Sequence, residues 1–135
     1  MYSIHHVAVT ASNFERSLEF YQKLGFEVLA SRHLPEKQKK IALLASGNFK
    51  LELFWFGDVQ DEPSSRETIG NNVHDVGAKH FALRVESMNE VRTRLEKLNI
   101  PFESEPATGD TGYDFFFIRD PDGIWIEFVE DNKYD

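Results

Sequence analysis

The sequence predicts an α+β fold made of two successive β-α-β-β-β modules, and three observations predict it. Short runs with a two-residue apolar period alternate with longer runs of helical period; that order of runs occurs twice; and matching His and Glu residues recur in the two halves. At 135 residues and 41% hydrophobic content, with 8 Gly and 5 Pro, the chain is in the range of one compact globular domain.

Composition excludes several functions. A net charge of -8, with no basic patch interleaved with aromatics, argues against a nucleic-acid surface. No apolar window approaches the ~18 residues of a membrane span, and the amino terminus lacks the charged and apolar blocks of a signal peptide, so a cytoplasmic location is expected. With no cysteine there is no disulfide, no thiolate ligand and no Cys nucleophile; any metal site must use His and carboxylates.

Each element has a local cause. Residues 4–11 alternate and are rich in β-formers, then Ser12-Asn13 offers a cap for a helix whose apolar positions Phe14, Leu18 and Tyr21 share one face, with Gly25 closing it. Strand patterns follow at 26–32, 40–45 and 50–56, the last two separated by Ser46-Gly47-Asn48. Residues 57–77 have no periodicity and read as a linker or lid. The pattern then restarts with a strand at 79–85, a helix at 88–98 capped by Ser87, an extended segment at 101–104, a strand at 113–119, the turn Asp120-Pro121-Asp122-Gly123 and a strand at 124–130.

The halves superimpose as an internal repeat. His6-Val7-Ala8-Val9 matches His80-Phe81-Ala82-Leu83, and Lys50-Leu51-Glu52-Leu53 matches Trp125-Ile126-Glu127-Phe128. The offset from His6 to His80 and that from Glu52 to Glu127 differ by a single position. Within one domain spanning 1–135, module one is expected at about 1–57, a loop at 58–76 and module two at about 77–131.

Strand alternation sorts the neighbours of these four residues. His6, Ala8 and Thr10 point one way and His5, Val7 and Val9 the other; Glu52 shares its face with Phe54 and Phe56, while Leu51, Leu53 and Trp55 face the helix. A carboxylate among aromatics is costly to bury unless it is paired or ligates a cation. His6, Glu52, His80 and Glu127 are therefore the expected ligands of one divalent ion, Zn or Ni first, with Co, Mn or Fe(II) also suited to two imidazoles and two carboxylates. Phe54 and Phe56, with either Phe115 and Phe117 or Phe116, are candidates for an apolar pocket beside it. His5 points away from His6 by alternation, His33 and His74 have no placed partner, and all three are read as ordinary histidines.

These residues resemble the glyoxalase and bleomycin-resistance group of the vicinal oxygen chelate superfamily. The opening, Ile4-His5-His6-Val7-Ala8-Val9 with Phe14-Glu15-Arg16-Ser17-Leu18-Glu19-Phe20-Tyr21 and Leu24-Gly25-Phe26, is similar to that group's opening. Its closing strand resembles Asp120-Pro121-Asp122-Gly123-Ile124-Trp125-Ile126-Glu127. The resemblance implies an eight-stranded curved mixed sheet around a metal, closed within a chain or across a homodimer. It implies a small-molecule substrate and, because Glu52 is present, the chemistry of glyoxalase I: a hemithioacetal of a 2-oxoaldehyde becomes a 2-hydroxyacyl thioester through a metal-stabilised enediolate. Glu127 is the expected catalytic base and Glu52 the relay.

Where glyoxalase I enzymes grip glutathione the chain has Thr10, Phe56 and Tyr113, which argues against that thiol. Arg84, the repeat-related counterpart of Thr10, is expected to grip an anionic group of the substrate. Two other functions compete. A drug-sequestering protein of bleomycin-resistance type would lack the ligand set, and a ring-cleaving Fe(II) or Mn(II) dioxygenase would keep the position of Glu52 open.

Overall fold

Asn13 leaves the first strand in extended conformation, and its side chain accepts the Arg16 N–H at 3.0 Å, which starts a helix where the sequence predicts one. That helix, α1 (Phe14–Leu24), buries Phe14, Ser17 and Tyr21 and ends at Gly25, whose φ of 110° only glycine adopts readily. The computed structural model describes residues 1–57, 74 and 76–132. The expected loop at 57–77 lies almost wholly outside the described residues.

Contacts divide the chain into two units, Met1–Pro63 and Ser64–Asp135. The first holds β1 (Val7–Thr10), α1, β2 (Glu27–Leu34), a short 3-10 turn at Pro35–Lys37, β3 (Lys39–Ser46) and β4 (Phe49–Trp55). Its sheet has the order β1-β4-β3-β2, with β1 parallel to β4 and the other pairs antiparallel. The second unit holds β5 (Phe81–Arg84), α2 (Met88–Lys97), β6 (Ala107–Thr108), β7 (Asp114–Arg119) and β8 (Trp125–Glu130). It repeats the topology as β5-β8-β7-β6, again with the first pair parallel. The fold is the α+β arrangement of two β-α-β-β-β modules, the eight strands among the described residues falling four and four into two mixed sheets.

In each unit one sheet face carries the core. Ala42, Leu44, Leu51 and Leu53 are at most 1% exposed in the first unit, and Phe116, Ile118 and Ile126 are fully buried in the second. The helices lie over these faces: Lys40, on the same side of β3 as Ala42, pairs with Glu15 of α1, and Glu130 of β8 accepts the Met88 N–H that opens α2 at 2.7 Å. Burying residues of this kind contributes about 1.5–3 kcal/mol each.

One expected extended segment forms no strand. Residues 101–104 lie outside every ladder, and the strand pairing with β7 is Ala107–Thr108 instead. Pro101 has no N–H to donate. Glu103 N–H reaches the Phe117 carbonyl at 2.8 Å, but the Phe117 N–H is taken by the Ser104 hydroxyl oxygen at 2.9 Å, so no backbone ladder continues there.

Candidate metal centre

Both histidines sit one residue before a strand. His6 precedes β1 and His80 precedes β5, so a repeat-related offset holds them beside the parallel partner strands β4 and β8. The registers match too: Ala8 pairs with Glu52 and Ala82 with Glu127, which puts each Glu two residues from its His across a parallel pair.

The structure brings His80 and Glu127 together, with Nε2 2.8 Å from Oε2, and His6 and Glu52 together at 3.9 Å. Glu127 is 7% exposed, which is expensive for a carboxylate unless a partner offsets it; the Glu52 side chain is more open, at 26%. Two donors bonded at ~2.1 Å to one ion lie at most ~4.2 Å apart, so both separations fit a shared cation. Among the described residues no three His, Asp or Glu side chains form a single group; each unit presents one His–Glu pair. By donor type and spacing the residues fit a divalent ion that takes nitrogen and oxygen ligands.

The surroundings of the two pairs differ. Phe54 and Phe56 stack on Glu52's face, with centroids 5.5 Å apart and planes 17° from parallel. On the other sheet Phe117 pairs with Glu127 and meets the His80 ring edge-on at 5.0 Å, and Phe115 meets Phe117 at 5.7 Å. Of the two sequence alternatives, Phe115 and Phe117 thus share the carboxylate's face, while Phe116 stacks on Phe128 in the core at 5.2 Å. Trp125 also lies on Glu127's face, under the Arg119 guanidinium at 4.0 Å.

Two residues sit otherwise than alternation predicts or leaves open. His5 does not point away from His6: their Nδ1 atoms are 2.9 Å apart, because both precede β1 and strand alternation does not govern them. Arg84 is exposed on Glu127's face, and its guanidinium donates to the Asp131 carbonyl at 2.6 Å. His33 lies in β2, and His74 is an exposed residue. Lys39 and Arg32, both on Glu52's face, escaped the sequence reading. The expected strand began at Lys40, one residue late; extending its parity backwards finds Lys39.

A cavity of about 460 Å³ elsewhere in the second unit is lined by Met88, Asn89, Arg92, Thr108, Asp114 and Glu130. It opens on the helix side of the sheet, and its carboxylates are already engaged: Glu130 with the Met88 N–H, Asp114 with the Thr108 hydroxyl at 2.7 Å.

The glyoxalase/bleomycin resistance protein/dioxygenase superfamily model matches residues 3–128. The chain belongs to that superfamily. It is 36% identical to the Bacillus subtilis (strain 168) protein YwkD over 132 residues, covering 95% of this chain and 96% of that one. It is 29% identical over 137 residues to the lactoylglutathione lyase of Neisseria meningitidis serogroup A, with 96% and 91% covered. The crystal structure of a glyoxalase family protein from Enterococcus faecalis superimposes with a TM-score of 0.79 at 37% identity, covering 95% of this chain and 97% of that one.

Proposed function

We propose that this chain is a metal-dependent isomerase of glyoxalase I type, converting the hemithioacetal of a 2-oxoaldehyde into a 2-hydroxyacyl thioester. The observation that carries the reading is the repeated pairing of His with Glu, His80 with Glu127 at 2.8 Å and His6 with Glu52 at 3.9 Å. Superfamily membership and the likeness to lactoylglutathione lyases support it. In this reading the four residues hold one divalent ion, from one chain or from two chains of a homodimer. Such an ion supplies Lewis-acid polarisation of the adjacent substrate oxygens.

The proton chemistry belongs to the carboxylates. Glu127 removes the proton from the carbon bearing sulfur, the electron pair moves toward the neighbouring carbonyl, and the proton returns to that adjacent carbon. Glu52 relays the proton between oxygens. Glu127 suits the base because its burial removes competing water. Phe54 and Phe56 form the apolar side of the substrate site, and Arg84, exposed on Glu127's face, an anionic contact.

The test combines metal content with turnover. Protein purified without chelator is expected to hold about one ion per chain, and His80→Ala to lose it. Glu127→Gln is expected to lower hemithioacetal isomerisation by about 100-fold or more while reducing metal affinity far less. Full turnover in Glu127→Gln sinks the assignment of the base. Absence of metal after incubation with Ni, Zn and Mn favours a sequestering protein instead.

A further inference from the structure

Beyond Glu52, the same sheet face runs on through two rows of residues. The first row is Thr10, Phe54, Ile41 and Arg32, joined by their strand registers; the next brings Phe56 beside Lys39 and Leu34. These rows hold two cations, two stacked aromatic rings and no carboxylate, in a chain whose net charge is -8. The amine of Lys39 lies 5.2 Å from the centre of the Phe54 ring and 5.7 Å from that of Phe56.

The contrast with the adjacent lysine is informative. Lys40, pointing to the helix side, is neutralised by Glu15 at 2.6 Å. Lys39 is half-buried, and no carboxylate among the described residues lies within ion-pair distance of it. Arg32 spends a guanidinium N–H on the Ser31 carbonyl at 3.0 Å, and it likewise has no carboxylate partner among the described residues. Two aromatic faces offset part of the cost of holding a partly desolvated ammonium group, and an anion would offset the rest.

We infer that Lys39, with Arg32 beside it, is a specificity-determining anion subsite. The structure assigns the substrate to a class whose thiol portion bears a carboxylate next to an apolar group that lies on Phe54 and Phe56. Phe54 is two residues along the strand from Glu52, so the apolar part of the subsite begins roughly 7 Å from the residue read as the proton relay, and Lys39 lies one row beyond it. The inference rests on the isomerase reading for the word substrate, but the subsite itself does not depend on turnover.

The experiment therefore measures binding. The probes are 2-(benzylthio)acetate and its uncharged amide, titrated calorimetrically into the metal-loaded full chain, with Lys39→Met, Lys39→Arg and Lys40→Met alongside. The carboxylate is expected to bind the parent about tenfold tighter than the amide, as a charge-assisted contact requires. That ratio is expected to fall close to one in Lys39→Met, to survive in Lys39→Arg, which keeps the charge, and to survive in Lys40→Met, which removes a cation from the opposite face. Equal binding of the two probes by the parent, no binding of either, a ratio that persists in Lys39→Met, or an equal fall in Lys40→Met overturns the subsite. A chain that turns over no hemithioacetal but shows the expected ratios loses the isomerase reading and keeps the subsite.

Discussion

Asp120 shows how much one side chain holds in place. Its Oδ1 accepts the N–H groups of Asp122 and Ile124, each at 2.9 Å, and the residue is 6% exposed. The bend it closes delivers the chain into β8 and so into Glu127. Asp120→Ala would leave two amides without an acceptor, a cost of about 2–3 kcal/mol, whereas Asp120→Asn keeps an oxygen and should cost less. Urea unfolding of the two variants checks the order. Glu15 makes a smaller contribution: the hydrogen bond from Lys40, then its own backbone, hold its carboxyl below the usual carboxylate value. A depressed folded value means the contribution is present above the unfolded value and is lost as pH falls through the folded one. Glu15 is largely exposed, so Glu15→Gln is expected to cost at most about 0.5 kcal/mol near neutrality, with the difference from the parent vanishing in acid.

At the scale of elements, ends and turns decide more than interiors. Helix α2 is capped twice: Ser87 Oγ accepts the Glu90 N–H at 3.2 Å, and Glu130 accepts that of Met88 at 2.7 Å. The Ser87 cap is visible in the sequence; the Glu130 cap comes from a residue on another element and is not. Glu130→Ala is expected to destabilise the second unit by about 1–2 kcal/mol, with Glu130→Gln milder because it keeps the acceptor but not the charge at the helix start. Gly57 ends β4's run with φ +82°, and a Cβ there would come within 2.8 Å of the Gln38 side chain. Gly57→Ala should therefore lower thermal stability, and truncating Gln38 as well should recover only the steric part. At the edge of the first sheet, the register of β2 shifts between Val28 and Ala30, and Leu29 is 54% exposed. Such a bulge disturbs the edge ladder and makes it a poorer template for another chain.

At the scale of the whole chain, two units repeat one topology and one placement of His against Glu. If one ion is held by all four donors, chelation should lower the melting temperature, and adding Zn or Ni back should restore it. An ion at a hundred times its dissociation constant stabilises by about 2.7 kcal/mol. His80→Ala should melt at the same temperature with and without chelator. A parent protein equally insensitive to chelator would count against the metal reading whatever its turnover.

Local chemistry and periodicity were sufficient for much of this molecule. The caps at Asn13 and Ser87, the left-handed stop at Gly25 and the alternation that buries Leu51 and Leu53 but not Glu52 are all written within a few residues of where they act. The repeat added long-range information, because matching offsets between His6 and His80 and between Glu52 and Glu127 survive only when both halves fold alike. Contacts between residues distant in sequence needed the tertiary structure. It separated Phe115 and Phe117 from Phe116, brought His5 against His6, turned Arg84 toward Asp131, moved the last edge strand to Ala107–Thr108 and set Lys39 over Phe54 and Phe56. The physical reason is register. A strand's own sequence says which residues share a face, but only its pairing partners decide which rows those residues join and what each charged or aromatic side chain meets there.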